Sequence, residues 1–211
     1  MRVLDLFCGA GGAAKGLHRV WPKAAILGVD IEPQPNYPFE FVQADAMTFP
    51  LVNCAFIWAS PPCQAYTMLR GLGKQSHRPK PRYIYALRRR LQDTGCPFLI
   101  ENVVGAPLIK PITLCGQFFG LAVRRHRLFE SNFRIAQVDC RDSHKPRPIA
   151  VYGDHPQQPG DKTYRCNRAR SLEEGQKAMG IDWMNWRELT QAIPPAYSEY
   201  IAKQLNLEVC R

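Results

Sequence analysis

Acidic residues are scarce in this chain. The 211 residues hold 18 Asp and Glu against 28 Lys and Arg, a formal net charge of +10 with a pI near 9.4. Such an excess favours an anionic partner, most often nucleic acid. Long apolar runs are also missing. No stretch approaches the roughly 20 residues that a spanning helix needs, so no membrane partner is expected. Internal repeats and low-complexity tracts are absent as well. Eight cysteines do not make a disulfide framework here, because a chain this long and 45% hydrophobic is no disulfide-dense mini-domain. Met1 to Phe7 already reads as a strand, which leaves no room for a signal peptide. The expectation is a reduced, cytoplasmic protein with one packed domain, or one domain plus a small appendage.

What is present is an alternation of short apolar strands with helical connections. Strands are expected at Val3 to Phe7, Ala24 to Ile31, Phe39 to Ala44, Cys54 to Ala59 and Phe98 to Val103. Helices are expected at Ala13 to Trp21, where Ala14, Leu17 and Val20 share one face, and around the basic stretch Arg82 to Asp93. That order implies an α/β protein with a mostly parallel, Rossmann-like sheet. From Leu114 the texture changes. Leu128 to Ile135 has the composition of short strands, and Asp139 to Arg170 is rich in proline, charge and turn formers. Helical character returns at Leu172 to Met179 and again from Pro195 to Leu207, where the proline suits a first helical turn.

Chemistry concentrates at the strand ends. Ligands of open α/β sheets sit at the carboxyl ends of the strands. The fourth strand ends in Ser60-Pro61-Pro62-Cys63-Gln64, which stops the strand and sets a thiol on the loop beyond it. A thiol so placed serves as a nucleophile once its ionisation is supported. The first strand ends in Cys8-Gly9-Ala10-Gly11-Gly12, which is not the spaced dinucleotide fingerprint and suits a cofactor without phosphates. Asp30 closes the second strand, placed to accept hydrogen bonds from a ribose. Asp45 closes the third, within reach of an adenine amino group. Singly, each aspartate reads more readily as a cap or turn residue. Together the three strand ends favour a nucleoside cofactor.

Four motifs in order resemble the DNA (cytosine-5)-methyltransferases: Asp5-Leu6-Phe7-Cys8-Gly9-Ala10-Gly11-Gly12, Pro61-Pro62-Cys63-Gln64, Glu101-Asn102-Val103, and Arg125-His126-Arg127-Leu128-Phe129. A weaker echo runs through Arg187 to Pro194. The resemblance implies a Rossmann-like S-adenosylmethionine-dependent methyltransferase fold, in a short member of the family with a small recognition insertion. It divides the chain into a catalytic and cofactor-binding core (1–129), a target-recognition region (130–171) and C-terminal helices returning to the core (172–211). It implies that Cys63 adds to C6 of a flipped-out cytosine, that Glu101 serves N3, that Arg127 holds the O2 carbonyl, and that Arg125 supports the pocket or nearby backbone. It also implies that Asp5, Phe7, Cys8, Gly9, Gly11, Asp30, Ile31, Asp45, Ala46, Pro62 and Gln191 bind S-adenosylmethionine. Gln191 stands in Thr190-Gln191, where the family pattern has Gly-Asn, and carries the amide on a longer stem.

The implied substrate is double-stranded DNA. The implied protein is a monomer with no protein partner, in a bacterial-type cell or its phage-infected host. An RNA cytosine methyltransferase uses the same chemistry and stays open, as does a catalytically silent nucleic-acid-binding relative. Phosphate contacts are expected from Arg70, Lys74, Arg78, Lys80 and Arg82, and from Arg141, Lys145, Arg147, Lys162, Arg165, Arg168 and Arg170. Cys140, His144, His155 and Cys166 follow no recognised zinc spacing, and no metal is expected.

Overall fold

A computed structural model describes residues 1–63, 66, 82–144, 147–159, 161 and 167–205. Five parallel strands come first: β1 (Arg2–Leu6), β2 (Ala25–Asp30), β3 (Glu40–Gln43), β4 (Phe56–Ala59) and β5 (Phe98–Asn102). Two further strands, β6 (Ile112–Leu114) and β7 (Arg127–Ser131), form an antiparallel hairpin, and β7 pairs antiparallel with β5. The sheet order is β3-β2-β1-β4-β5-β7-β6. The chain order reverses between β1 and β4, so their carboxyl ends flank the crevice where such sheets bind ligands.

Strand periodicity sorts the core into two layers. Val3, Trp58, Leu99 and Phe129 face one side, covered by α1 (Gly12–Val20) and α5 (Pro195–Ala202). Leu4, Leu6, Ile57, Ala59 and Ile100 face the other, covered by Leu87 and Leu91 of α2 (Arg82–Asp93). On that second side Arg88 of α2 pairs with the buried Glu130 of β7, Nε to Oε1 at 2.5 Å, which ties the helix to the antiparallel edge.

Small residues let α1 lie directly on α5. Its buried positions are Gly12, Ala13, Ala14, Gly16 and Leu17, and the Ser198 hydroxyl of α5 donates to Ala13 O at 2.7 Å. A Cβ on Gly16 would overlap Pro195 O and Ser198 Oγ and stand 2.9 Å from Glu199 N. Two of these are backbone atoms of a packed helix. Gly16→Val is therefore expected to cost about 1–3 kcal/mol and to lower Tm by about 5–10 °C, measured by thermal melting. An unchanged Tm would mean that the two helices separate freely.

The sequence expectations for β1, β2, β3, β4, β5, α1, α2 and α3 (Leu172–Met179) hold to within a few residues. Others need correction. Leu128 to Ile135 supplies one strand only. β6 and α4 (Trp186–Gln191) were not anticipated: β6 is three residues long, and α4 is announced only by its capping box of Asn185 and Glu188. The segment after β7 has little regular structure, a 3-10 turn at Arg141–Ser143 and the two-residue parallel pair β8 (Ile149–Ala150) and β9 (Asn167–Arg168). Its Val151 and Ala169 share a core cluster with Ala178, Met179 and Leu189 of α3 and α4. The basic candidates Arg70, Lys74, Arg78, Lys80, Lys145, Lys162 and Arg165, the side chain of Arg82, and Gln64 and Cys166 lie outside the described residues. Among the described residues no helix is long and apolar enough to cross a membrane.

Candidate active site

The site begins with strand register. Glu101 lies opposite Phe129 across the β5–β7 pair, so Arg127, two residues before Phe129, is its diagonal neighbour on the same face. Arg127 Nε reaches Glu101 Oε1 at 3.2 Å, and its NH1 donates to His126 O at 3.0 Å. Glu101 is 5% exposed. Burial raises its carboxyl above the ordinary range, against the opposing pull of Arg127, the Ser60 hydroxyl and Arg125. Ser60 Oγ in turn accepts from Trp58 Nε1 at 2.9 Å. The carboxyl is thus held by a chain of groups on β4 and β7.

Cys63 is brought to the same place. Its half-buried thiol is pushed up in pKa by burial, drawn down by Arg127 and Arg125, and raised by Glu101. The loop carrying it is pinned by Asn102, which is buried and donates from Nδ2 to Pro61 O at 2.9 Å. Asn102 also accepts the Val103 N–H at 2.9 Å. Asn102 is a positioning residue whose role the motif Glu101-Asn102 did not reveal. Asn102→Ala would leave Pro61 O without this donor. It is expected to cost about 1–3 kcal/mol and to lower kcat by one to two orders of magnitude, with the KM for cofactor little changed. Melting curves alongside steady-state kinetics check this, and a kcat within twofold of wild type would remove Asn102 from the site.

Arg125 occupies a different position from Arg127. Its backbone is left-handed (φ 40°), and its guanidinium donates to Thr190 O at 2.7 Å, Ala192 O at 2.8 Å and Val151 O at 3.4 Å. Burial and the neighbouring Arg127 depress its pKa to about 9. The Tyr197 hydroxyl lies 2.8 Å from Arg125 O. With its guanidinium turned to these carbonyls, Arg125 acts as a clamp joining β7, the loop after β8 and the end of α4.

The second half of the site lies at the ends of β1, β2 and β3. Phe7 takes a left-handed backbone (φ 56°), and the turn continues through Gly9 (φ 48°) to Gly11 (φ 80°), the N-cap of α1. The Gly9 N–H donates to Asp30 Oδ2 and the Glu32 N–H to Asp30 Oδ1, each at 3.0 Å. The two outer glycines do different work. Among the described residues a Cβ on Gly9 would meet nothing within 4 Å, whereas one on Gly11 would strike Pro38 Cδ at 2.6 Å and the Tyr37 ring at 2.9 Å. Gly9 alone of the two offers open backbone to a ligand. Gly11 makes room for Tyr37, whose hydroxyl donates to Asp5 Oδ2 at 3.2 Å. Asp5 is 1% exposed, with the Ala14 backbone N–H also at its carboxyl. Burial raises the Asp5 carboxyl, the Tyr37 hydroxyl opposing, and burial likewise raises the adjacent Cys8 thiol.

The remaining candidates divide. Asp45 closes its own turn, its Oδ1 accepting the Met47 N–H at 2.8 Å, while Ala46 is buried with its carbonyl taken by Arg90 NH1 at 2.9 Å. Ile31 is 65% exposed beside Asp30. Pro62 is half-buried next to Cys63, and Gln191 is exposed at the end of α4. Two residues missed in the sequence belong here. Tyr83 of α2 lies against Phe7 (ring centroids 5.9 Å, rings tilted by 60°) and has its pKa pushed up to about 12 by burial and by Asp45 and Asp30. Trp183 Nε1 donates to Ala10 O at 2.8 Å. Neither lies in a recognisable motif; only spatial proximity reveals them.

This sheet order with helices on both faces is the fold of the Rossmann-like, S-adenosylmethionine-dependent methyltransferases. Among solved structures the chain is similar to the Dnmt2 methyltransferase of S. pombe, with 16% identity, a TM-score of 0.64 and coverage of 100% of this chain and 99% of that one. It is similar also to the methyltransferase EhMeth of Entamoeba histolytica, with 15% identity, a TM-score of 0.64 and coverage of 100% and 99%. No protein-family model and no curated protein matches the chain. At these identities the likeness defines the fold, and the chemistry must be argued from the side chains.

Proposed function

We propose that the chain is an S-adenosylmethionine-dependent methyltransferase acting on C5 of cytosine, with duplex DNA as its substrate. The observation that carries this reading is the convergence of Cys63, Glu101 and Arg127 from the ends of β4 and β5 and the start of β7. C5 of cytosine is a poor nucleophile until C6 has taken an electron pair. The Cys63 thiolate forms a bond to C6, and the negative charge passed to the ring is met by a proton from the Glu101 carboxyl at N3. Burial of Glu101 favours the protonated form that this step requires. Arg127, already bound to Glu101, orients that carboxyl and faces the O2 carbonyl. C5, now electron-rich, forms its bond to the methyl group; loss of the C5 proton to a base or water then breaks the C6–S bond and expels the Cys63 thiolate, and N3 returns its proton to Glu101.

The cofactor fits the other half of the crevice. The open face of Gly9, the Asp30 carboxylate and the Phe7–Tyr83 wall suit a nucleoside without phosphates. S-adenosylmethionine bound there supplies the methyl group. A cytosine in a duplex must first leave the stack, at a cost of a few kcal/mol that phosphate contacts from a +10 chain offset.

The test is to incubate the protein with S-adenosylmethionine and unmethylated duplex DNA, with RNA transcripts in parallel, and to map 5-methylcytosine at base resolution. Modified positions in DNA support the reading, and their context defines the target. Modification of RNA alone overturns the choice of polymer. No modification of either leaves a nucleic-acid-binding protein without this chemistry.

A further inference from the structure

The sequence gives no reason to link Cys115 and His126 with Cys140 and His144, yet the fold gathers them. Continuing the β6–β7 register (Leu114 opposite Arg127) puts Cys115 opposite His126 on one face of the hairpin. Cys140 and His144 flank the 3-10 turn Arg141–Ser143 that follows. One donor atom from each residue lies within 4.8 Å of all the others, with Cys115 buried and the other three partly so. Cys115 Sγ is 3.4 Å from His144 Nε2, and Cys140 Sγ is 3.5 Å from His126 Nε2. The two imidazole rings stand 5.3 Å apart at 48°.

We propose that these four side chains form a structural zinc site. Two thiolates and two imidazoles are a preferred donor set for zinc. With Zn–S near 2.3 Å and Zn–N of about 2.0–2.1 Å, a tetrahedron has S···N edges of about 3.6 Å. The two contacts above are already close to that edge. Four protein donors fill the coordination sphere and leave no open position for a water, which makes the site structural and not catalytic. Binding releases the two thiol protons as the metal–sulfur bonds form. The proposal departs from the expectation of no metal. Cys140 and His144 belong with two residues of the hairpin, while His155 is occupied elsewhere, its Nδ1 at 2.7 Å from Pro156 O and its carbonyl accepting from Arg168 NH2 at 2.8 Å.

Position gives the site its consequence. His126 separates Arg125 from Arg127, and its carbonyl accepts from Arg127 NH1. A metal on its imidazole fixes the backbone that aims Arg127 at Glu101. It also anchors the irregular segment after β7 to the sheet. Here a metal adds to the few apolar contacts the segment makes through Ile135, Val151 and Ala169.

Protein produced in zinc-supplemented medium and purified without chelator is expected to hold about one zinc per chain by plasma emission spectrometry. Cys140→Ser and His144→Ala should lose most of it, and Cys96→Ser, outside the set, should keep it. Should the variants fail to fold, the wild type decides. Stripping with a chelator is expected to lower Tm by about 10 °C or more, and stoichiometric zinc to restore it. Cobalt added to the stripped protein should give the intense visible bands of tetrahedral thiolate coordination. A metal-free wild type whose Tm ignores both chelator and zinc overturns the proposal, as does a Cys115–Cys140 disulfide in the non-reduced mass. Metal content is read without any substrate, so this inference and the proposed reaction fail independently.

Discussion

A Cys63→Ala protein is expected to keep its fold and its affinity for S-adenosylmethionine, and to lose at least about 10⁴-fold in methyl transfer. The thiol is half-buried on a loop, and the groups that hold that loop, such as Asn102 on Pro61 O, do not involve the sulfur. Deleting the sulfur therefore removes little packing and leaves the Gly9 turn and Asp30 intact. What disappears is the bond to C6, for which the rest of the site has no substitute. Cys63→Ser sharpens the comparison. Its hydroxyl keeps the shape but ionises far less readily, so activity should stay near the alanine level. Calorimetry for cofactor binding and a single-turnover assay on duplex DNA measure the two quantities separately. Residual activity within a hundredfold of wild type in Cys63→Ala would eliminate the covalent route.

The positions of Cys63 and Glu101 at strand ends were legible in sequence because strand ends advertise themselves. Prolines follow the end of β4 and precede Cys63, and Glu101 lies near the end of a buried strand, so period and punctuation placed both at the mouth of the sheet. The diagonal contact between Glu101 and Arg127 was not legible, since it depends on antiparallel register between β5 and a strand some 25 residues later. The role of Arg125 was hidden for the same reason, its partners Thr190 and Ala192 being more than sixty residues away. The glycines differ in surroundings that the sequence does not reveal: among the described residues a Cβ on Gly11 would meet Tyr37 and Pro38 and one on Gly12 would meet Ile193, while one on Gly9 would meet nothing within 4 Å. The cluster proposed to hold zinc was not visible in the sequence because Cys115 and His126 sit eleven residues apart across a hairpin whose first strand is too short to recognise.

Glu101→Gln is expected to lower kcat/KM by about 10²–10⁴-fold and, more tellingly, to change the shape of its pH profile. In the proposed mechanism the productive form of the wild type carries a proton on Glu101 and none on Cys63. Burial raises both groups, Glu101 above 4.5 and Cys63 above 9.0. Below the Glu101 value the carboxyl is protonated and the rate follows the thiolate, rising with pH. Between the two values each tenfold gain in thiolate is cancelled by a tenfold loss of protonated carboxyl, so the profile is flat. Above the Cys63 value the thiolate is complete and the rate falls as the last carboxyl protons leave. The acid limb thus reports Glu101 and the alkaline limb Cys63, the reverse of the assignment usually made for an acid and a thiolate. In Glu101→Gln the carboxyl is gone, and residual activity should climb through neutral pH without a plateau until Cys63 is ionised. The amide keeps the volume and leaves Ser60 an acceptor, so an altered shape cannot be ascribed to collapse of the pocket. A flat neutral region that survives in Glu101→Gln would mean that the N3 proton comes from another group.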